Sequence, residues 1–209
     1  MLDATIQTLI ARPLDSAGRK LARTGLTANA ITLLGAVLAI PLIFAVASGS
    51  HAIALTLLAL NRLLDGLDGA VARAKPRSAS ASNLGGYLDI VADYVFYAGV
   101  PFGFVLAAPA DNAVAAAALL ASFLLTCSSF LGYAALAAKQ GLEARHEPRA
   151  GLRKSFFYSR GLMEGTETIA FFVAMILWPS RFAELAWVFA ALCVVTALQR
   201  AAIAVRQFR

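Results

Sequence analysis

Six stretches of this 209-residue chain are apolar over about the length needed to cross a bilayer. A spanning helix takes ~20 such residues, and hydrocarbon offers no partner for an open backbone, so runs of this kind fold as helices whose own hydrogen bonds close. The runs are about Ala30–Ala47, Ala52–Ala72, Tyr87–Ala108, Ala113–Ala138, Gly161–Trp178 and Phe182–Leu198. Apolar residues make up 60% of the chain and charged ones 14%, against ~25% charged in a soluble domain, which leaves too little polar surface to cover the apolar mass. Disordered chains and ordinary soluble domains are thereby excluded. The expected fold class is an all-α integral membrane protein of six transmembrane helices.

Residues 2–23 differ from these runs. Leu2, Ile6, Leu9, Ile10, Leu14 and Leu21 recur at roughly helical spacing, opposed by Arg12, Arg19, Lys20 and Arg23. The pattern predicts an N-terminal amphipathic helix on the membrane interface, with Pro13 and Gly18 arguing against one unbroken helix. The expected organisation is a single membrane domain over 1–209, with a cytoplasmic arm over 1–25 and a six-helix bundle over 26–209. Of 18 Lys and Arg, sixteen fall in the arm, the second and fourth connections and the tail. Arg181 lies on the opposite side and Arg62 within a span. That asymmetry puts both termini in the cytoplasm and assigns the net charge of +6 to topology and anionic lipid rather than nucleic acid. Cys127 and Cys193 lie in apolar runs and form neither a disulfide framework nor a Cys/His metal motif.

Four acids stand where acids are costly. Asp65 and Asp68 (i, i+3) end the second run, and Asp89 and Asp93 (i, i+4) open the third. Each spacing puts its pair on one helix face, and a charge near the bilayer centre costs ~2.5–3.5 kcal/mol on insertion scales. Carboxylates brought together repel, and a hard divalent cation such as Mg2+, Mn2+ or Ca2+ removes the repulsion. Pairing of these acids with Arg62, Arg73 or Lys75 is the structural alternative. Gly66, Gly69, Ala70 and Ala72 interleave with the first pair, as close approach by a ligand or a second helix requires.

Asp65-Gly66-Leu67-Asp68-Gly69-Ala70-Val71-Ala72-Arg73 followed by Gly85-Gly86-Tyr87-Leu88-Asp89-Ile90-Val91-Ala92-Asp93 resembles the signature of the CDP-alcohol phosphatidyltransferases (class I), D-x2-D-G-x2-A-R-x8-G-x3-D-x3-D. Every typed position is present. The spacer is 11 residues rather than 8, with the excess in the Pro/Ser-rich Lys75–Asn83, which reads as a loop. Thr27-Ala28-Asn29-Ala30-Ile31-Thr32 is similar to the TPN-x-[IL]-T segment of that family, with alanine replacing proline. NRLLDGLDGA and GLMEGTETI resemble an uncharacterised bacterial inner-membrane subgroup.

The resemblance implies transfer of a phosphatidyl or similar phospho-alcohol group from a CDP-linked lipid such as CDP-diacylglycerol to an acceptor hydroxyl, releasing CMP. It implies that Asp65, Asp68, Asp89 and Asp93 hold Mg2+ or Mn2+, two ions per site, with Asp93 also the general base. Gly69, Ala72, Arg73, Asn29 and Gly85 would form the CDP site. Arg153, Lys154, Arg160, Glu164 and Glu167 are candidates to hold a small polar alcohol acceptor. The family resemblance further implies a homodimer, and the Lys/Arg asymmetry places the acids, and with them the site, at the cytoplasmic face. An ion or proton transporter is the alternative that intramembrane carboxylates alone allow. The acids stand near one membrane edge in a Gly/Ala frame, which favours the enzyme.

Overall fold

The computed structural model describes residues 2–75, 79–140 and 162–208, and every regular element among them is helical. Helix α1 spans Leu2–Arg23 without interruption at Pro13 or Gly18. It is seated on the next long helix. A Cβ at Gly18 would stand 2.6 Å from the Ala70 Cβ and 2.7 Å from the Ala70 carbonyl carbon, so only glycine permits the crossing. Gly66 answers from the other helix: a Cβ there would stand 2.9 Å from Leu14 Cδ1.

The first apolar run, expected as one helix, divides into α2 (Ala28–Val37) and α3 (Ala39–Ala47). Pro41 has no N–H to offer the Val37 carbonyl, and its ring crowds that carbonyl, so the helix breaks at Leu38. Thr27 caps α2, its hydroxyl accepting from the Ala30 N–H at 3.2 Å. Helix α4 spans His51–Ala74 and α5 spans Ala79–Ala107. The connection is therefore shorter than the loop expected over Lys75–Asn83, because residues 79–83 are already helical. Helices α6 (Pro109–Lys139), α7 (Gly165–Leu177) and α8 (Phe182–Gln207) follow, with one 3-10 turn at Pro179–Arg181.

Among the described residues, four segments are long and apolar enough to cross a membrane: Ala28–Ala47, Asn83–Ala107, Pro109–Lys139 and Pro179–Gln207. The other two expected spans fall short for different reasons. Helix α4 has the length, but from its midpoint on it carries Arg62, Asp65, Asp68 and Arg73. Helix α7 has 13 residues, a rise of about 20 Å against the ~30 Å hydrocarbon core. Inside the bundle, Phe96, Phe172, Phe182 and Phe189 are fully buried in one core drawn from α3 to α8. Phe104 stacks on Phe182 at 4.3 Å between centroids, so Phe96 and Phe104 are packing residues. The exterior is apolar as well: Phe44 on α3, Val114 and Leu124 on α6, and Leu198 on α8 are each more than 60% exposed. A surface of that kind is stable against lipid rather than water.

Candidate active site

The two acid pairs meet. Asp65, Asp68, Asp89 and Asp93 all line one cleft between α2, α4 and α5, together with Thr32, Asn61 and Arg62. The helical spacings put each pair on one face, and α2, which packs against both α4 and α5, holds those faces on a common cleft. The free space is about 10 Å3, close to one water-sized sphere.

The four carboxylates are held differently. Asp68 is the deepest, 7% exposed, with Oδ2 2.5 Å from the Thr32 hydroxyl. Thr32 also faces the Ala28 carbonyl at 3.1 Å, and a hydroxyl has one proton, so the shorter contact to Asp68 takes it. The segment after Thr27 thus caps α2 and fixes an acid of α4. Asp93 accepts from Arg62 Nη2 at 3.0 Å, and Asp65 lies 3.5 Å from Arg62 Nη1. Asp89 is exposed at the mouth of the cleft. Asn61, buried, donates from Nδ2 to the Gly35 carbonyl at 2.9 Å and accepts on Oδ1 from Arg62 Nε at 2.9 Å. Pairing of the acids with Arg62, the structural alternative, is therefore present in the cleft for Asp65 and Asp93.

The donor set fits a hard divalent cation: carboxylate, hydroxyl and amide oxygens, with no sulfur or imidazole among the cleft residues. As the side chains stand, no three His, Cys, Asp or Glu among the described residues are grouped closely enough to hold one ion. Arg62 takes the space between Asp65 and Asp93.

The residues expected to bind CDP lie beside the cleft rather than in it. Arg73 is exposed on the last turn of α4 and folds over Gly69, whose Cβ would stand 3.2 Å from Arg73 Nη1. Its guanidinium binds Asp15 of α1, at 2.7 Å from Nη2 and 3.2 Å from Nε. Ala72 packs in a small apolar cluster with Ala28, Ile31 and Val71. Asn29 is half-buried in the first turn of α2, and Gly85 half-buried on α5. Glu164 and Glu167 form a reciprocal capping box at the start of α7, the Glu164 N–H donating to Glu167 Oε2 at 3.3 Å. Their i, i+3 spacing is accounted for by the helix end. Arg153, Lys154 and Arg160 lie outside the described residues.

Two residues gain significance only from the fold. Arg62 is one. Arg200, counted in the sequence as a tail charge, is 5% exposed on α8 and donates to the Thr126 carbonyl at 3.2 Å, with the Phe130 ring 5.7 Å away. The amphipathic pattern of α8 is too weak to reveal such a position from sequence.

Comparison with known proteins assigns the cleft to a chemistry. The sequence profile described as CDP-alcohol phosphatidyltransferase matches residues 25–199, most of the chain. The chain belongs to the CDP-alcohol phosphatidyltransferase family. It is 46% identical over 203 residues to the inner membrane protein YnjF of Escherichia coli (strain K12), an alignment covering 96% of this chain and 93% of that one. It is 27% identical over 173 residues to the archaetidylinositol phosphate synthase of Pyrococcus horikoshii, covering 83% and 89%. No solved structure matches it significantly. Membership decides between the enzyme and the transporter: this is a membrane transferase of phospholipid biosynthesis, with a family-wide chemistry of phosphatidyl transfer from CDP-alcohols.

Proposed function

We propose that the protein transfers a phosphatidyl group from a CDP-linked lipid, such as CDP-diacylglycerol, to the hydroxyl of a small polar alcohol and releases CMP. The observation that carries this is the convergence of both acid pairs of the family signature on one cleft at an end of α4 and α5.

Asp65, Asp68, Asp89 and Asp93 would hold divalent cations, Mg2+ or Mn2+, two per site. Bound there, such ions would neutralise the diphosphate and polarise phosphorus. The chain's own groups supply the rest. Asp93 takes the acceptor's hydroxyl proton as the new P–O bond forms. Arg73 meets a donor phosphate once it leaves Asp15, and Gly69 gives that phosphate close access to α4. Thr32 keeps the buried Asp68 carboxylate in one orientation. Ala72, Asn29 and Gly85 border the nucleotide. The acceptor is read as held by Arg153, Lys154 and Arg160, in the stretch of sequence that precedes α7. The capping role of Glu164 and Glu167 makes them supports of that region more than ligands.

The membrane placement is part of the same reading. Helices α4 and α7 are read as joining the four longer apolar segments in a bundle of six spans; α1 is an amphipathic helix at the interface; 1–209 forms one domain. The bias of Lys and Arg supports cytoplasmic termini and a cytoplasmic site, and the name of the Escherichia coli relative supports an inner membrane. A homodimer is the expected assembly. In detergent or vesicles, CMP release from CDP-diacylglycerol is measured against a panel of alcohols, with and without Mg2+ or Mn2+. Asp93→Asn abolishes release and Asp65→Asn weakens its metal dependence. Wild-type turnover in both variants overturns the site assignment.

A further inference from the structure

The cleft contains a cation of its own. Arg62 sits one turn before Asp65 on α4 and reaches across to α5. Its guanidinium lies 3.5 Å from Asp65 Oδ2 and 3.0 Å from Asp93 Oδ1, so it joins one acid of each pair. On its other side Nε and Nη2 both donate to Asn61 Oδ1. Asn61 is anchored in turn on the Gly35 carbonyl of α2 at 2.9 Å. The rings of Phe96 and Tyr97 stand 5.4 and 6.0 Å from Arg62 Cζ, a setting that favours a weakly hydrated planar cation. Arg62 is thus held by α4 and α5 directly and by α2 through Asn61, with its charge aimed at Asp65 and Asp93.

The space beside it is about one water-sized sphere. An ion between Asp65 and Asp93 and the guanidinium at its present distances would occupy the same few Å with like charge. One must yield to the other.

We propose that Arg62 is a resident counter-cation of the active site: it presets Asp65 and Asp93 when no metal is bound, and competes with divalent cations for them. The inference rests on the metal-binding role proposed above for these acids, and makes Arg62 a positioning residue that acts through them. Held together without a cation, the acids would repel and spread, and the cleft would have to be rebuilt at each binding event. With Arg62 in place the carboxylates are already gathered, at the expense of weaker metal affinity. Because binding equilibria are reciprocal, whatever the arginine subtracts from metal affinity, metal subtracts from the arginine's hold.

The test measures metal directly, not turnover. Free Mn2+ is counted by electron paramagnetic resonance during titration of purified wild-type, Arg62→Gln and Arg62→Lys proteins, with Asp65→Asn as the reference for a broken site. Gln keeps a polar side chain without charge, and Lys keeps the charge without the fork. Arg62→Gln should bind Mn2+ roughly tenfold more tightly than wild type, toward the low end of the coupling typical of linked sites. Arg62→Lys should stay near wild type. Wild-type binding with an unchanged or weaker affinity in Arg62→Gln overturns the competition while leaving the metal site standing. Failure of wild type itself to bind Mn2+ overturns both. A second measurement needs no folded Gln variant. In wild-type protein carrying 15N-arginine, Mg2+ should shift the Nε–H resonance that Arg62→Lys removes, and a resonance unmoved at saturating Mg2+ overturns the proposal.

Discussion

Thr32→Val tests how the cleft is held together. The two side chains have nearly the same shape, so the exchange removes one hydroxyl and little volume. That hydroxyl lies 2.5 Å from Asp68 Oδ2, and both residues are buried, at 8% and 7% exposure. The space beside them is about one water-sized sphere, so little solvent is at hand to replace the lost donor. A hydrogen bond to a charged group contributes about 1.5–3 kcal/mol, and a buried acceptor left without it carries its desolvation cost uncompensated. For a chain of this size that corresponds to a melting point lower by roughly 3–12 °C. Thr32→Ser separates the hydroxyl from the methyl: it keeps the donor and loses one buried carbon, worth about 0.8 kcal/mol.

The assay is thermal unfolding in detergent, followed by loss of the monodisperse peak, with CMP release measured on the same samples. The expected order of stability is wild type, then Ser, then Val. Turnover should fall at least about tenfold in Val, the factor that 1.4 kcal/mol of lost positioning represents, and stay close to wild type in Ser. If Val is as stable as wild type, or less damaging than Ser, then the Thr32 hydroxyl does not hold Asp68 and the argument from α2 to the cleft is wrong.

Two other substitutions separate roles that share a side-chain type. Glu167→Ala removes one half of the α7 capping box and should lower stability by about 0.5–2 kcal/mol with the KM for acceptor unaltered; a rise in acceptor KM of tenfold or more would make Glu167 a ligand. Asp15→Asn breaks the pair with Arg73, whose partners are 38% and 41% exposed, so stability should change by no more than about 1 kcal/mol. With Arg73 released, the KM for CDP-diacylglycerol should fall and kcat hold, whereas a higher KM would show that α1 supports the donor site instead of occupying its arginine.

Spacing along a helix was enough to read the acids in pairs, because i, i+3 and i, i+4 neighbours share a face whatever surrounds them. It was not enough to tell what a pair does. Glu164 and Glu167 have the same i, i+3 spacing as Asp65 and Asp68, yet one pair closes a helix end and the other lines a cleft. The difference is where the helix begins, and a hydropathy count ran the fifth apolar segment from about Gly161, four residues ahead of the true start at Gly165. Pro41 shows the same weakness: counted within an apolar run it is invisible, but at four residues from Val37 it divides the run in two.

Arg62 was visible as a charge inside a span, and its proximity to Asp65 followed from spacing alone. That it also reaches Asp93, 31 positions on, depends on how α4 is rotated against α5, which no single-helix pattern encodes. Small residues set that kind of geometry from outside the cleft. Gly18 and Gly66 let α1 lie directly on α4, and this seating brings Asp15 to Arg73. The N-terminal helix is thus joined to the helix that carries the first half of the family signature by backbone approach as well as by charge. A substitution at Gly18, far from any reacting atom in sequence, would therefore move the arginine expected to meet the donor phosphate.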